Sequence, residues 1–296
     1  MPALIDLRRR IKSVQNTQQI TQAMKTVSTA KFKKAQRSVI QARPYWHTFP
    51  SFLQRAILER EGNSPPLLEE REEQNAIVVV ITSDKGLCGA FNSNLLARAT
   101  EFIEQKSQTC DLRLVLIGKK AAMFFKHLTY PIERTYGENT QSLTQEDLKQ
   151  LARFLIREYS LLRTDAVYAF YNEFKSILAP HITLYKLLPV EVRKRETKDG
   201  EKKEEWHAGL TPDWDPEAER FLAILLPLYI ENEIAHFFFE SVAAEHAARM
   251  MAMENATINA QDLIEDLTLG LNKVRQASIT KELLEIMTAV EALAKK

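Results

Sequence analysis

Two stretches at the ends of the chain decide its fold. Residues 4–43 read LIDLRRRIKSVQNTQQITQAMKTVSTAKFKKAQRSVIQAR, and residues 240–287 read ESVAAEHAARMMAMENATINAQDLIEDLTLGLNKVRQASITKELLEIM. In both stretches apolar residues return at steps of three and four, which places them on one side of a helix. Each side is narrow and contains small residues, as at a helix–helix seam, so we predict that each helix buries its stripe against the other. The predicted stripes are Leu4, Leu7, Ile11, Val14, Ile20, Ala23, Val27 and Ala30 on the first helix, and Ala256, Ala260, Leu263, Leu267, Leu271, Val274 and Ala277 on the second.

The composition is that of an ordinary protein with a hydrophobic core. A chain of 296 residues forms one large domain or two smaller ones, and its net charge is +1. The sequence contains no run of about twenty uncharged apolar residues, so we expect no membrane-spanning helix. Cys88 and Cys110 are isolated from each other and from any His cluster, which favours reduced thiols over a disulfide or a metal site.

The first helix is strongly basic. Between Met1 and Arg43 there are ten Lys or Arg residues and one acidic residue, Asp6. Nine net positive charges could follow a phosphate backbone, so a nucleic-acid-binding helical protein is one hypothesis. However, the charges surround an apolar stripe, and Phe32 is the one aromatic residue in this stretch. A solvated face, or one that meets acidic protein loops, is the favoured interpretation.

The middle of the chain has the pattern of strands alternating with helices. Short β-branched runs predict strands buried on both faces. Asn92 to Asn94 would cap one helix, and Thr144 with Asp147 resembles a capping box. The alternation predicts a small α/β sandwich with a mostly parallel sheet, whose last strand lies at an edge or runs antiparallel. The predicted strands are Ala76–Thr82, Leu112–Ile117, Ala166–Tyr171 and Ile182–Leu188.

Changes in composition divide the chain into four segments. Pro44 and Pro50 should bend the first helix, and Gly62 opens a cluster of helix breakers. Pro216 suits the first turn of the last helix, and Pro227 should bend that helix. We therefore predict an N-terminal helix over 1–61, an α/β domain over 75–193, a polar loop over 194–215 and a C-terminal helix over 216–296.

The sequence does not predict a catalytic site. Gly86-Leu87-Cys88-Gly89 follows a strand and precedes a helix, where phosphate-binding loops occur, but it lacks the spacing and the lysine-threonine pair of such a loop. A tight strand-to-helix turn is therefore favoured over nucleotide binding. We predict no catalytic, cofactor-binding or metal-binding residues, and we keep a small nucleotide- or substrate-binding α/β enzyme as an alternative.

Four segments together resemble the gamma subunits of F-type ATP synthases of the bacterial type. They are RRRIKSVQNTQQITQAMKTVSTAK at 8–31, TSDKGLCGAFNSN at 82–94, AAEHAARMMAMENAT at 243–257 and NKVRQASITKELLEI at 272–286. They cover both ends of the chain and the first strand–helix unit, in the family's order and at its separation. The rest of the chain is similar only in general character.

This resemblance implies an α/β fold class in which a long antiparallel coiled coil of the N- and C-terminal helices is joined to a central small α/β (Rossmann-like) domain. In the family the coiled coil is the central rotor shaft, which enters a hexamer of alternating alpha and beta subunits. The α/β domain is the foot, which binds the epsilon subunit and the c-ring. Proton-driven rotation of the ring then turns the shaft and drives the catalytic sites of the hexamer. The chain would be a non-catalytic subunit without cofactor, located at the cytoplasmic face of the bacterial inner membrane.

The same resemblance assigns contact residues by motif. Met24 and Arg249 resemble positions where the shaft meets acidic lever loops of the beta subunits, and Lys85 resembles a basic residue that faces these loops from below. The expected catch-loop and seam residues are more numerous. Arg275 and Gln276, with Thr280 and Glu282 nearby, resemble the group that meets the catch loops of the hexamer, and the predicted coiled-coil seam comprises Leu7, Ile11, Val14, Val27, Leu267, Leu271 and Val274.

Gly270 departs from the bulky residues that are more common at its position in the family. Glycine inside a helix costs roughly 1 kcal/mol relative to alanine, so we expect a compensating reason. Close approach by the first helix or by a hexamer loop is the favoured explanation, and local torsional compliance is the alternative.

Overall fold

The computed structural model describes residues 2–58, 65–137, 143–176, 181–191 and 218–294. The chain begins and ends with a long helix, and a series of short strands and helices lies between them in the sequence. In chain order the elements are α1 (Pro2–Leu58), a single 3₁₀ turn (Pro66–Leu68), β1 (Asn75–Ile81), α2 (Phe91–Lys106), β2 (Asp111–Ile117), α3 (Lys119–Phe125), β3 (Ile132–Tyr136), α4 (Gln145–Ser160), β4 (Ala166–Glu173), β5 (His181–Leu188) and α5 (Ala218–Ala294).

The chain divides into two compact units. The first, the helical unit, comprises Met1–Lys31 and Arg249–Lys296. The second, the sheet unit, comprises Phe32–Ala248. Helices α1 and α5 contribute residues to both units.

The sheet unit contains a five-stranded sheet in the order β3-β2-β1-β4-β5. Strands β3, β2, β1 and β4 run parallel, and β5 pairs antiparallel with β4 at the edge. The mostly parallel sheet with an antiparallel edge strand confirms the sequence prediction. Strand β3 was not predicted from the sequence. Its residues IERTY include four that are exposed, so the buried apolar run that marks the other parallel strands is missing.

The two faces of the sheet bury different sets of side chains. Alternate residues of a strand point to opposite faces, so Ile77 and Val79 lie on one face of β1 and Val78 on the other. The first face packs against α4 and against the sheet-unit parts of α1 and α5, which supply large buried residues such as Leu53, Tyr159, Ile230 and Phe237. The second face packs against α2 and α3 through Leu95, Ala99, Ile103 and Phe125. The terminal helices are therefore part of the core of this unit.

The predicted capping box at the start of α4 is present. The Asp147 amide donates to Thr144 Oγ1 at 3.2 Å, and the Thr144 amide donates to Asp147 Oδ2 at 2.8 Å, which satisfies two backbone donors at the helix start. The predicted cap at Asn92 to Asn94 is wrong. Helix α2 begins at Phe91. Asn92 Oδ1 instead accepts a hydrogen bond from the Ser83 amide at 3.1 Å, which stabilises the loop after β1.

Both terminal helices continue through their prolines. Pro44 and Pro50 lie inside α1, and Pro227 lies inside α5. The predicted end of the first helix at residue 61, the polar loop at 194–215 and the start of the last helix at Pro216 lie outside the described residues. Of the described helices, α5 alone is long and apolar enough to cross a membrane by length and composition. Its most apolar part is 56% buried inside the protein, as in the core helix of a folded domain.

Gly118, between β2 and α3, lies where there is no space for a side chain. Its φ is +94°, and a Cβ added there would lie 2.3 Å from the carbonyl oxygen of Thr82. The Gly118 amide donates to the Tyr136 carbonyl at 3.1 Å, and Thr82 Oγ1 accepts the Ala121 amide at 2.9 Å. The close approach therefore joins the carboxyl ends of three strands.

We expect Gly118→Ala to lower the free energy of unfolding of the chain by at least about 3 kcal/mol, because backbone strain and a backbone clash add together. Gly89→Ala is the matched control, since Gly89 also has positive φ (+59°) but its added Cβ would meet nothing within 4 Å. That variant should lose only about 1 kcal/mol. Urea denaturation followed by circular dichroism measures both, and equal losses would contradict the assigned clash.

Candidate functional site

The paired ends of α1 and α5 form the candidate functional site that the sequence motifs indicate. Three side-chain pairs cross the seam within the helical unit. Gln18 Nε2 donates to Gln261 Oε1, the hydroxyls of Thr21 and Thr257 share a hydrogen bond, and Lys25 Nζ donates to Glu254 Oε1, each at 2.8 Å. Residue numbers rise on α1 as they fall on α5, so the two helices run antiparallel.

Burial along α1 follows a seven-residue repeat from Leu4 to Ser28. The less exposed positions alternate at steps of three and four, which is the 3.5-residue repeat of a left-handed coiled coil. Helix α5 shows the same spacing over the facing residues. These positions are Leu4, Leu7, Ile11, Val14, Gln18, Thr21, Lys25 and Ser28 on α1, and Met250, Met253, Thr257, Ala260, Ile264, Leu267 and Leu271 on α5.

The structure corrects the predicted seam in its middle part. Val27 was predicted to lie in the seam, but its side chain is 56% exposed, and Ile20 is 60% exposed. On α5, Leu263 is 45% exposed and Val274 is 36% exposed. The prediction followed apolar residues wherever they occurred. The period set by Leu4 to Val14 instead continues through polar residues, which find polar partners on the opposite helix.

The residues predicted to contact a partner hexamer lie in different surroundings. On α5, Arg275, Gln276, Thr280 and Glu282 are all exposed along one short stretch. In contrast, Met24 is half-buried and Arg249 is only 6% exposed. From the sequence alone Arg249 would have been taken for an exposed helical charge.

Lys85 belongs to the sheet unit and not to the helical unit. It is exposed in the loop between β1 and α2, and its carbonyl oxygen accepts the Ser83 hydroxyl at 2.8 Å. Leu87 and Gly89 in the same loop both have positive φ, at 61° and 59°. The Gly86-Leu87-Cys88-Gly89 segment is thus a tight strand-to-helix turn, as predicted.

Gly270 shows no close approach by the first helix. A Cβ added at Gly270 would meet nothing within 4 Å, and α5 continues on both sides of it. The prediction that α1 packs against this glycine is wrong, because the facing helix leaves open space there. Approach by a loop of another subunit stays a prediction.

The place where an α/β sheet of this order usually binds a ligand is filled by side chains. Ligands bind such sheets outside the carboxyl ends of the strands, where the strand order reverses, here between β1 and β4. Cys88 and Phe91 follow β1, Phe174 follows β4, and all three are buried in one cluster with Phe32 and Ala243 from the terminal helices. Phe32 and Phe174 meet edge to face with ring centroids 5.2 Å apart. This packing disfavours the hypothesis of a nucleotide-binding enzyme.

The carboxyl group of Glu73 has a strongly lowered pKa, and it serves the fold. Burial would raise the pKa of Glu73, but hydrogen bonds from Lys106, Tyr168 and Lys186 outweigh burial and lower the pKa to about 2. Tyr168 Oη donates to Glu73 Oε2 at 2.7 Å, and Lys186 Nζ lies 3.0 Å from Glu73 Oε1. Glu73 therefore ties the segment before β1 to α2, β4 and β5. Within the described residues, no three His, Cys, Asp or Glu side chains are grouped so that they could hold a metal ion.

Comparison with known proteins gives the class of protein. A family model described as ATP synthase matches residues 3–293. The ATP synthase gamma chain of Pelotomaculum thermopropionicum is 45% identical over 293 residues, covering 99% of this chain and all of that protein. The gamma chain of Desulforudis audaxviator is 42% identical over 297 residues, with 99% of this chain and 100% of the relative covered. The chain belongs to the ATP synthase gamma chain family.

Solved structures share the same fold at lower identity. A chain in the rotor of the Euglena gracilis mitochondrial ATP synthase aligns with a TM-score of 0.65 and 19% identity, covering 94% of this chain and 99% of that one. A second chain from the same enzyme, in an assembly of OSCP, F1 and c-ring, aligns with a TM-score of 0.66 and 20% identity, covering 99% and 95%. The long terminal helices and the central sheet are therefore found together in known rotor structures.

Leu267 tests the seam of the helical unit. Continuing the register of the three polar pairs places Leu267 at the height of Ile11, and both are half-buried. Leu267→Asp should lower the stability of the helical pair by about 2–4 kcal/mol, because an unpaired carboxylate replaces apolar contact. Leu269→Asp is the control, since Leu269 is 62% exposed. Thermal melting of the helical signal compares them, and equal effects would mean that this stripe is not the seam.

The Thr21–Thr257 pair tests the polar middle of the seam. Each hydroxyl also lies within hydrogen-bond distance of a carbonyl of its own helix, Thr21 at Gln18 and Thr257 at Met253. Replacing one threonine by valine therefore removes the bond across the seam but leaves the other hydroxyl a backbone partner, so each single variant should cost at most about 1 kcal/mol. The double variant should recover most of that loss, which gives a coupling energy of about 0.5–1.5 kcal/mol in a double-mutant cycle. Thr26→Val is the control, because Thr26 is exposed and bonds only to its own helix, at the Gln22 carbonyl. Strictly additive effects would show that the two hydroxyls do not interact.

Proposed function

We propose that this chain is the rotor shaft that couples proton-driven rotation of a c-ring to ATP synthesis and hydrolysis in a hexamer of alpha and beta subunits. The observation that supports this most directly is the set of three polar pairs between α1 and α5. A shaft transmits torque only if its two helices turn as one body. Apolar contact alone permits sliding, whereas polar groups that must meet their own partners fix one register.

Arg249 and Met24 are proposed to face the lever loops of the beta subunits. The family motif supports both positions, and acidic loops suit a guanidinium group because it can bind a carboxylate through two parallel hydrogen bonds. Because Arg249 is only 6% exposed in the isolated chain, this contact requires its side chain to become accessible in the complex. Lys85, exposed in the sheet unit, is proposed to meet the same loops as a single positive charge. Exposed basic residues of α1, among them Arg8, Arg9 and Arg10, would lie near acidic protein surface in this arrangement and not near nucleic acid.

Arg275 and Gln276 are proposed to hydrogen-bond to the catch loops of the hexamer, with Thr280 and Glu282 as neighbours. Their exposure supports the proposal, since all four side chains face solvent in the isolated chain. Thr280 Oγ1 donates to the Gln276 carbonyl at 3.0 Å, so this hydroxyl is partly used within the helix. The guanidinium and amide groups would be the principal donors to a partner.

The α/β domain, predicted over 75–193, is proposed to be the foot that binds the epsilon subunit and the c-ring. Its role is supported by a rigid build, with both faces of the sheet buried and the connector anchored through Glu73. We further propose that the complex lies at the cytoplasmic face of a bacterial inner membrane, with this chain attached through other subunits. The bacterial origin of the similar gamma chains supports this location.

Arg275→Ala combined with Gln276→Ala tests the proposed catch-loop contact. In the reconstituted complex the double variant should lose ATPase activity or assembly yield by about tenfold, because charge-assisted hydrogen bonds at an interface are removed. The isolated chain should keep its helical signal, since both side chains are exposed. Lys149→Ala combined with Gln150→Ala on α4 is the matched control, as these residues are also exposed but lie in the sheet unit. Full assembly, ATPase activity and proton-coupled synthesis in the first variant would reject the contact.

A further inference from the structure

Helix α5 buries three ionisable side chains on one face within the sheet unit. Glu233, His236 and Glu240 are 2%, 8% and 3% exposed. Their spacing of three and four residues aligns them along the helix. None of them belongs to the proposed contacts with other subunits. A buried charge is costly unless it is paired, so this group needs an explanation of its own.

The histidine ring lies between the two carboxylates. His236 Nδ1 is 3.7 Å from Glu233 Oε2, and His236 Nε2 is 3.7 Å from Glu240 Oε1. These distances suit an ion pair better than a direct hydrogen bond, and accordingly Nδ1 and Glu233 Oε2 have no hydrogen-bond partner in the described structure. Each ring nitrogen thus has a carboxylate oxygen on its own side.

Two other elements hold the same ring in place. From α1, Trp46 packs on it with ring centroids 4.2 Å apart and an interplanar angle of 32°. From β4, the Tyr171 ring lies 6.4 Å away. The Phe174 amide, just after β4, donates to Glu240 Oε2 at 2.9 Å. The group therefore lies where α5, α1 and β4 meet.

The charges that face this site come mainly from α5 itself. Trp46 is neutral, Tyr171 presents a phenol ring, and Phe174 presents a backbone amide. Among the described residues, the ion pairs of Glu233 and Glu240 are with His236 alone. Without a proton on the imidazole, two buried carboxylates would remain with no positive charge beside them.

We propose that Glu233, His236 and Glu240 form a buried proton-binding site that holds α5 against α1 and β4, and that loses this hold when the proton leaves His236. With the proton bound, the imidazolium pairs with both carboxylates and its positive charge lies against the Trp46 ring, where a cation–π contact adds to the stacking. When the proton leaves, this attraction disappears and the two carboxylates repel each other. Helix α5 then packs less tightly at Trp46 and Phe174.

The direction of the His236 pKa agrees with this geometry. Burial lowers the pKa of His236, but the carboxylates of Glu233 and Glu240 on either side of the ring raise it, and the net direction is upward from 6.5. A group whose pKa is higher in the folded state stabilises that state fully below its unfolded pKa. The contribution is lost as the pH rises through the folded pKa. The site should therefore weaken on the alkaline side of 6.5.

The first experiment measures proton binding directly in the purified full-length chain. Histidine labelled with ¹³C at Cε1 gives one ring signal for each of the six His residues. We expect the His236 signal to titrate with a midpoint above 6.5. The His236 signal is identified because it is missing from the spectrum of the His236→Gln variant. It should also change position in the spectrum of the Trp46→Phe variant, so the assignment does not depend on the folding of a single variant. A midpoint at or below 6.5 would overturn the proposal.

The second experiment asks whether proton loss loosens the packing. Amide exchange at Phe174 is followed across the same pH range and corrected for the intrinsic rate of the chain. We expect protection at Phe174 to fall at least threefold above the His236 midpoint, while protection at Val79 in the centre of the sheet stays constant. Constant protection at Phe174 throughout the titration would overturn the hold assigned to the site.

Fluorescence supplies a matched comparison at the same site. Trp206→Phe with Trp214→Phe leaves Trp46 as the one tryptophan. Protonated imidazole in contact with indole quenches its emission, so emission should rise as the pH passes the His236 midpoint. The step should disappear with His236→Gln and persist with His127→Gln, because His127 is an exposed residue on another face. A step that survives His236→Gln would assign the quenching to another group and reject the site.

Discussion

The mutual burial of α1 and α5 is the interaction on which the rest of the structure depends. In the helical unit each helix has an apolar stripe only one or two residues wide, and neither stripe is broad enough to hold a helix on a globular core by itself. In the helical unit the stripes meet each other along a seven-residue repeat. In the sheet unit the same two helices cover one face of the sheet together, through residues such as Leu53 and Phe237. Separating them would expose both the seam and that face.

The polar residues in the middle of the seam lower the stability of the helix pair but define its register. Gln18, Thr21 and Lys25 contribute less hydrophobic stabilisation than leucine or isoleucine would at the same positions. Their hydrogen bonds to Gln261, Thr257 and Glu254 can form in one alignment only. The Lys25–Glu254 pair is about one third exposed on each side, so it contributes mainly to alignment and little to stability. Alignment is the property that the proposed rotor shaft requires.

The central domain shows why a fold does not define an activity. Its strand order would offer a ligand crevice at the carboxyl ends of β1 and β4, where the strand order reverses, but the terminal helices fill that region with Phe32 and Ala243. The same helix α5 supplies Phe237 to the sheet core and His236 to the buried ionic group. A sheet of this order binds a nucleotide in some other proteins, but here the crevice is occupied by side chains of the two terminal helices.

The sequence by itself determined most of the elements and the family. The β-branched run at β1, the capping box of Thr144 and Asp147, and the motifs at both ends depend on residues close together in the chain, so local rules were sufficient to predict them. The sequence missed β3, because an exposed edge strand has no apolar run, and it misplaced the start of α2, because Asn92 bonds to Ser83 and not to its own helix.

Only the tertiary structure decided which residues form the seam and what the buried charges do. The positions of apolar residues predicted Val27 in the seam, whereas the structure buries Thr21 and Ser28 there. The seven-residue repeat of the helix pair, and not the hydrophobicity of each residue, determines which side chains face the partner helix. His236 and its two carboxylates likewise had no signal in the sequence. Glutamate and histidine at helical spacing normally suggest a solvated face, and their burial depends on Trp46 from α1, which is 190 residues away in the chain. Pairing across such a distance is decided by three-dimensional packing, which local sequence patterns do not contain.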